Sequence, residues 1–512
     1  VSVFFDLEKG AGLVEAGEAA HVVLSAGTET ALDAAPGRTE VKFAPVSAAR
    51  IAERTAPLAG LFAATAAARR ESEARAAAAL LEEEKILKSR LSMIWECRDF
   101  VPAGGRNDTA QDGGIEELLE KGEIGDLGAL VKSGTEDDLE KVEAARSQAE
   151  GLKEIRWLET ADRDGDGKSE ILVAQASGYV TSLSHEGKPL WSTATVSIPG
   201  LRGISGKLRA AIGPPGDRKI ITASGNQAWL LSCIDADGRR LWETSLPLPP
   251  LTLYASDPNA AGEFEIGMGA FEYAYGFSHK GRQLWKFMNQ FKHDSTCGAA
   301  YDLDGDGESE MVIGNDYDSG HILKGRTGRR IGSFPMTWHA GPSAVAMGDI
   351  DGDGTGDMVV GDRMGYVMFC VPWDTKKRGS QSLSAIVTFV KFADIDGDGR
   401  KEVFVGTDSG NVYAFDAQAV LLFRCDVGSV PRDIDFGDMD GNGRLDLLVD
   451  CRDNRMRILD DKGRKVALFS ADGGVNSVRA VELDGNKKAS ECVVAGDGGC
   501  VYALKFNAAG GE

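Results

Sequence analysis

One acidic phrase recurs along this 512-residue chain at nearly fixed intervals. It first reads DRDGDGKSE, from Asp162 to Glu170, and runs into the apolar stretch ILVA. It returns as DLDGDGESE at Asp302, DIDGDGTGD at Asp349, DIDGDGRKE at Asp394 and DMDGNGRLD at Asp438, and a worn copy, ELDGN, begins at Glu482. The steps from 302 onward are 47, 45, 44 and 44 residues. The first gap, 140 residues from 162 to 302, holds three such steps, so two units without the acidic phrase should start near 209 and 256. RAAIGPPGDRKIITA (209–223) and SDPNAAGEFEIGMGA (256–270) both supply an apolar run, a polar turn and a second apolar run. Eight units of about 45 residues are thus implied, and a period of that length marks folds that stack one supersecondary motif on the next.

Each unit reads as four strands. In the 394 unit these are TFVKFAD, EVFVGT, NVYAFD and VLLFRCD, separated by short Gly- and Asp-rich turns. Three units share an outer-strand ending, GKPLW to Trp191, GRRLW to Trp242 and GRQLW to Trp285. Four strands repeated eight times predict a mainly β fold, an eight-bladed β-propeller over 151–512. The last unit shows only three strands, and SMIWECRD at 92–99 resembles the missing outer one. The segment 91–100 is therefore predicted to close the ring and cover the last blade's edge. Ahead of it, 1–48 carries short alternating strands (VSVFFDLE, AHVVLSAG, TEVKFAPV) like the remnant of a small β-sandwich, and 49–90, rich in Ala, Glu and Arg, reads as a helical linker. Residues 101–150 read as a helical insertion, with Ser133, or Thr135 and Asp138, able to cap a helix through EDDLEKVEAARSQA.

The acidic phrase has the chemistry of a metal loop. Carboxylates at positions 1, 3, 5 and 9 converge, the position-7 carbonyl completes the set, and Gly at positions 4 and 6 lets the backbone turn back. The ligands so predicted are Asp162, Asp164, Asp166, Glu170 and the Lys168 carbonyl; Asp302, Asp304, Asp306, Glu310 and the Glu308 carbonyl; and Asp349, Asp351, Asp353, Asp357 and the Thr355 carbonyl. Asp394, Asp396, Asp398, Glu402 and the Arg400 carbonyl follow, then Asp438, Asp440, Asn442, Asp446 and the Arg444 carbonyl. Oxygen-only, flexible, carboxylate-rich sites favour Ca²⁺ over Mg²⁺. An EF-hand needs Glu at position 12, whereas here that position is Val173, Ile313, Val360, Val405 or Val449. About five structural calcium sites are expected, each between two strands.

These five loops resemble those of FG-GAP/VCBS-repeat propellers, a group that includes the integrin α-subunit head and many secreted bacterial proteins. The resemblance spans about 151–505 and implies structural calcium on the face opposite the ligand site, and an extracellular or periplasmic setting. Eight-bladed calcium propellers also resemble bacterial rhamnogalacturonan lyases, and AAYDLDGDGESEMVIG is similar to a blade core of that family.

On the face opposite the acidic loops, one arc gathers chemistry. Lys292, His293 and Asp294 enter the 302 unit, the stretch NDYDSGH brings Tyr317 and His321, and Trp338, His339, Arg363 and Tyr366 follow on the next blade. His293, Tyr317, His321, His339, Arg363 and Tyr366 suit proton transfer and carboxylate binding in β-elimination of a uronate-containing polysaccharide. Trp338, Trp373 and Lys292 suit substrate contact. The other reading is a non-catalytic module recognising carbohydrate or an extracellular protein, with the same aromatics as stacking residues.

Composition narrows the partners. With 79 Asp and Glu against 57 Lys and Arg, the chain carries −22, so nucleic acid is not expected as a partner. No apolar run reaches the 18 or so residues needed for a transmembrane segment. Starting at Val1 without a leader pattern, the sequence reads as a mature or trimmed piece. Eight scattered Cys lack any CxxC pair and read as buried small hydrophobes. Cys492 and Cys500 flank a predicted hairpin in which 495 pairs with 500 and 492 with 503, so those two thiols do not face each other.

Overall fold

The computed structural model describes 77–98 and 154–507, apart from 163–164, 177, 196–204, 213–217, 226–228, 260, 290–292, 318, 337–339, 372–373, 472–473, 486–489 and 497. It also describes residues 70 and 74–75 and the backbone of five strands ahead of residue 46. The chain divides into two compact units, Val1–Lys85 and Ile86–Glu512. In the first, Ser2–Asp6, Ala11–Glu15 and His21–Leu24 form an antiparallel meander, and Thr28–Thr30 pairs with Phe43–Pro45. Residues 77–89 are helical and mostly exposed. The helix expected within 101–150 lies outside the described residues.

The second unit consists of eight four-stranded antiparallel sheets. Blade 1 runs from Ile155 to Ala194, blade 2 from Ser205 to Leu246, blade 3 from Thr252 to Met288 and blade 4 from Ser295 to Pro335. Blade 5 runs from Pro342 to Ser382, blade 6 from Val387 to Asp426, blade 7 from Pro431 to Ser470 and blade 8 from Val475 to Phe506. The first strand of each blade lies beside the first strand of the next, and that of blade 8 lies beside that of blade 1. This cyclic adjacency defines an eight-bladed β-propeller. The two units without the acidic phrase are blades 2 and 3, whose first strands are Ser205–Ile212 and Thr252–Ala255.

Burial follows from the stacking. A second strand has a neighbouring blade against each face, so it reads as a continuous apolar run rather than an alternation. Glu310–Asn315, Asp357–Asp362, Glu402–Thr407, Asp446–Cys451 and Glu491–Gly496 are buried at every position. At about 1.5–3 kcal/mol per buried Val, Leu or Ile, these strands and their neighbours supply the main apolar stabilisation. Outer strands are wetter, as in Leu421–Asp426, where only Cys425 is buried.

Blade 8 takes its fourth strand from far upstream, Leu91–Cys97 pairing antiparallel with Cys500–Phe506. Cys97 then packs with Ile155, Leu158 and Val501 in the cluster between blades 8 and 1. All eight Cys are free thiols, and seven are buried. The last hairpin departs by one residue from the predicted register. Gly496 pairs with Cys500, and Cys492 therefore lies opposite Leu504. The turn is a three-residue one, in which Gly499, at φ +77°, donates its N–H to the Gly496 carbonyl at 3.0 Å.

The closing strand generates a prediction. Trp95→Ala removes a half-buried indole from the joint between blades 8 and 1 and should cost about 2–3 kcal/mol, at or below the low end for a buried aromatic. Denaturant melting followed by tryptophan fluorescence measures it, and an unchanged midpoint would show that the joint does not depend on this strand.

Candidate metal centre

The acidic loops share one construction, and each part has a reason. Glycines at positions 4 and 6 adopt left-handed φ, for example +71° and +84° at Gly305 and Gly307, conformations that L side chains rarely adopt. The position-1 carboxylate then sits inside the turn. Asp302 accepts from the N–H of Gly307 at 2.9 Å, Asp349 from Gly354 at 2.9 Å, Asp394 from Gly399 at 2.9 Å and Asp438 from Gly443 at 2.8 Å. The apolar residue at position 2 is buried and its N–H donates to the position-9 carboxylate. These pairs are Leu303 with Glu310 (2.9 Å), Ile350 with Asp357 (3.2 Å), Ile395 with Glu402 (2.9 Å) and Met439 with Asp446 (2.9 Å).

Among the described residues, five acidic groups bring three carboxylates within 4.8 Å of one another. They are Asp302, Asp304 and Asp306; Asp349, Asp351 and Asp353; Asp394, Asp396 and Glu402; Asp438, Asp440 and Asp446; and Glu482, Asp484 and Glu491. Each such pair of like charges repels by roughly 1 to 3 kcal/mol, depending on effective dielectric. The oxygen-only donors and permissive turn fit a hard, flexible-coordination cation. In sequence alone the 482 copy is worn. The fold restores it by adding Glu491, which accepts from the Leu483 N–H at 3.1 Å. In the 162 loop, Asp164 lies outside the described residues. Asp162 there accepts from Gly165 (2.7 Å) and Gly167 (3.1 Å), and Glu170 is buried.

Burial pushes the position-9 carboxyls up. Glu310 and Glu402 are raised by it, and Asp446 reaches about 7 through burial together with repulsion from Asp440, Asp438 and Asp460. A cation in the loop reverses that cost.

Neighbouring loops are stitched together. Gly356 donates to the Leu303 carbonyl at 3.0 Å, Lys401 to Ile350 at 2.8 Å and Leu445 to Ile395 at 3.0 Å. Ser490 donates to Asp438 and Ser169 to Glu482, both at 2.7 Å. These bonds tie blades 4, 5, 6, 7, 8 and 1 in succession. The other joints use tryptophan, a device that sequence reading missed. The indoles of Trp95, Trp191, Trp242 and Trp285 lie where a Cβ would stand on Gly187, Gly238, Gly281 and Gly328, the turn glycines of the following blades. Their N–H groups donate to the carbonyls of His185 (3.0 Å), Ala236 (3.1 Å), His279 (2.8 Å) and Gly325 (2.6 Å). The signal was present in the recurring GxxLW phrase, where the Gly receives one Trp and the chain then supplies the next.

Strand direction puts the proposed arc at the opposite end of blades 4 and 5. His293 stacks on Tyr317 with ring centroids 4.6 Å apart and planes at 10°, and its Nδ1 lies 2.9 Å from the Asp316 carboxylate. The Tyr317 carbonyl accepts from Gly341, and the Arg363 N–H donates to Ala340, at 2.8 and 3.0 Å, which ties the two blades' loops together. The Arg363 side chain is exposed, and Tyr366 is half-buried at the start of its strand. Asp362 is a buried turn cap, accepting from Met364 and Tyr366, both at 2.8 Å. Sequence reading placed His321 on this rim, but it lies within the strand Ser319–Lys324, 1% exposed, with Nδ1 3.0 Å from the Ser333 hydroxyl and the ring edge-on to Phe287. The loop closes early because Asn315 accepts from the Tyr317 N–H at 3.0 Å, and the strand resumes at Ser319. Lys292, Trp338, His339 and Trp373 lie outside the described residues.

A second charged group was not anticipated. On the first strands of blades 6, 7, 8 and 1, Asp433 takes Lys391 at 2.7 Å and Arg479 at 3.3 Å, and Arg479 reaches Glu159 at 3.5 Å. Burial opposes ionisation of Asp433, but the Lys391 and Arg479 cations hold its carboxyl below the usual range.

The family model for the FG-GAP-like repeat matches residues 302–360. No curated protein matches the chain. Among solved structures, Sqt1 of Saccharomyces cerevisiae is similar at 12% identity and TM-score 0.53, over 69% of this chain and 95% of that one. The computationally designed Ika8 protein is similar at 13% identity and TM-score 0.51, over 69% of this chain and 97% of that one. At these identities the likeness concerns the fold alone.

The Asp446 carboxyl yields a pH prediction for the cation-free chain. Its value is raised to about 7 in the folded state, so its contribution favours folding below about pH 4 and is lost as pH rises through about 7. In chelator, the melting temperature of the native chain should fall by several degrees between pH 4 and 8 relative to Asp446→Asn. A constant difference between the two melting curves would contradict this.

Proposed function

From an FG-GAP-like repeat set in an eight-bladed β-propeller, we propose a calcium-stiffened recognition protein that works in an extracellular or periplasmic setting and is directed at uronate-containing carbohydrate. Calcium is the cation because oxygen-only carboxylate loops of this flexibility suit it, and because it is plentiful in those compartments. The observation that carries the ligand reading is the rim of blades 4 and 5. There the stacked His293 and Tyr317 offer an aromatic face and the exposed Arg363 offers a fork for a carboxylate. Loop-to-loop hydrogen bonds at the other end hold the strands that present this rim, so the rim is pre-organised. An extracellular protein in place of a glycan is the alternative partner.

A catalytic version of the same site has one observation in its favour. The Asp316 carboxylate, 2.9 Å from His293 Nδ1, orients the imidazole and leaves Nε2 as the atom that would take a proton in β-elimination, with Tyr317 beside it as donor.

Two measurements test these readings. Chelation by EDTA should lower the melting temperature markedly, since each site saturated at 100 times its Kd contributes about 2.7 kcal/mol. An unchanged curve would remove calcium from the account. Uronate polysaccharides should bind, and Arg363→Ala should weaken that binding about tenfold or more with no change in melting temperature, as expected for loss of a charge-assisted pair. Appearance of unsaturated product by absorbance, abolished in His293→Ala, selects the lyase. Binding without product selects recognition, and no binding to any of the panel rejects the carbohydrate reading.

A further inference from the structure

Although the acidic loops are alike in sequence, they differ in what the next hairpin brings to them. The first residue of a blade's second strand is the position-9 carboxylate, and antiparallel pairing sets a third-strand residue directly opposite it. In blade 4, Glu310 pairs with Lys324. The Lys324 ammonium lies 3.0 Å from Asp304, 2.8 Å from Asp306 and 2.6 Å from Glu310, with a side chain only 14% exposed. It thus bonds the carboxylates of positions 3, 5 and 9 at once. Blade 8 repeats the arrangement, with Lys505 3.2 Å from Asp484 and 3.0 Å from Glu491. In blades 6 and 7 the pairing ends at Val403 with Phe415 and Leu447 with Leu459, and the next residue, just past the third strand, is Asp416 or Asp460. Both accept from their own following turns instead, Asp416 from Gln418 and Val420, and Asp460 from Lys462 and Arg464.

We propose that Lys324 and Lys505 are built-in cations that take the place of calcium in the loops of blades 4 and 8, leaving the loops of blades 6 and 7 as sites that call for the ion. An ammonium and a divalent ion repel, and they compete for the same carboxylate oxygens, so one loop does not hold both. Lysine offers three donors in a compact point charge, which matches three converging carboxylates. Blade 3, which lacks the acidic phrase, also pairs its second-strand carboxylate with a cation, but there the register partner is Ser278 and the cation comes from the adjoining blade 4. Glu265 begins the second strand of blade 3 and takes the Arg326 guanidinium at 3.2 Å, as does Glu263. The acidic phrase therefore marks where a cation is needed, and the residue opposite position 9 decides whether the chain supplies it.

This inference rests on the calcium reading, and the test separates the two. Crystals of the unaltered protein grown with calcium should show anomalous peaks in the Asp394 and Asp438 loops and none at the centre of Asp304, Asp306 and Glu310 or of Asp484 and Glu491. Calcium counted by elemental analysis after gel filtration should rise by one ion per chain in Lys324→Met. A peak in the Asp302 loop, or an unchanged count in a folded Lys324→Met, overturns the built-in cation while leaving calcium in place. Absence of calcium from every loop overturns both. Because the crystal measurement uses the native chain, it decides the matter even if the variant fails to fold.

Discussion

Every blade of this protein is a thin sheet with two apolar faces, and neither face is satisfied unless a neighbouring blade covers it. An open row of eight would leave the outer faces of its first and last members in water. The antiparallel pairing of Leu91–Cys97 with Cys500–Phe506 removes that exposure by making one blade from both ends of the propeller. The wholly buried second strands, the carboxylate loops at one end and the rim at the other all presuppose this closure.

Given a closed ring, the joints between blades divide into two kinds. Tryptophans brace blades 8, 1, 2, 3 and 4 in turn, each indole resting on a turn glycine of the next blade. Backbone bonds between acidic loops join blades 4, 5, 6, 7, 8 and 1. The two sets together cover all eight joints and overlap only between blades 8 and 1. Blades 2 and 3, which lack the acidic phrase, are joined to their neighbours by tryptophan alone among these two devices. Their edges are locked by burial and by an indole N–H, which need no metal. The remaining arc concentrates carboxylates that repel one another, a repulsion that positive charge placed among them offsets.

Much of the fold was legible because its determinants are local. Positions 4 and 6 of the loop demand glycine for reasons internal to five or six residues, and the period of about 45 residues follows from the length of four short strands and their turns. The same locality let two units be located at 209 and 256 without the acidic phrase. Site residues were less legible. His321 reads as part of a polar loop, yet the Asn315 turn ends the loop early and the strand carries the ring into the space between blades. The 482 copy reads as degraded because no carboxylate stands at its ninth position, and Glu491, one residue later, accepts from the Leu483 N–H in its place.

By itself, then, the sequence determined the number of blades, the identity of the strands, and the loops able to gather carboxylates, since each depends on spacing and on residues in short contact along the chain. Tertiary structure alone decided which residue stands opposite each carboxylate, which turn glycine receives each tryptophan, and which histidine remains at the rim. Those pairings are set by strand register and by the contact of one blade with the next. Lys324, Asp416 and Asp460 occupy equivalent places in three hairpins, and only the cross-strand pairing shows that one brings a cation into the loop while two bring a further negative charge nearby.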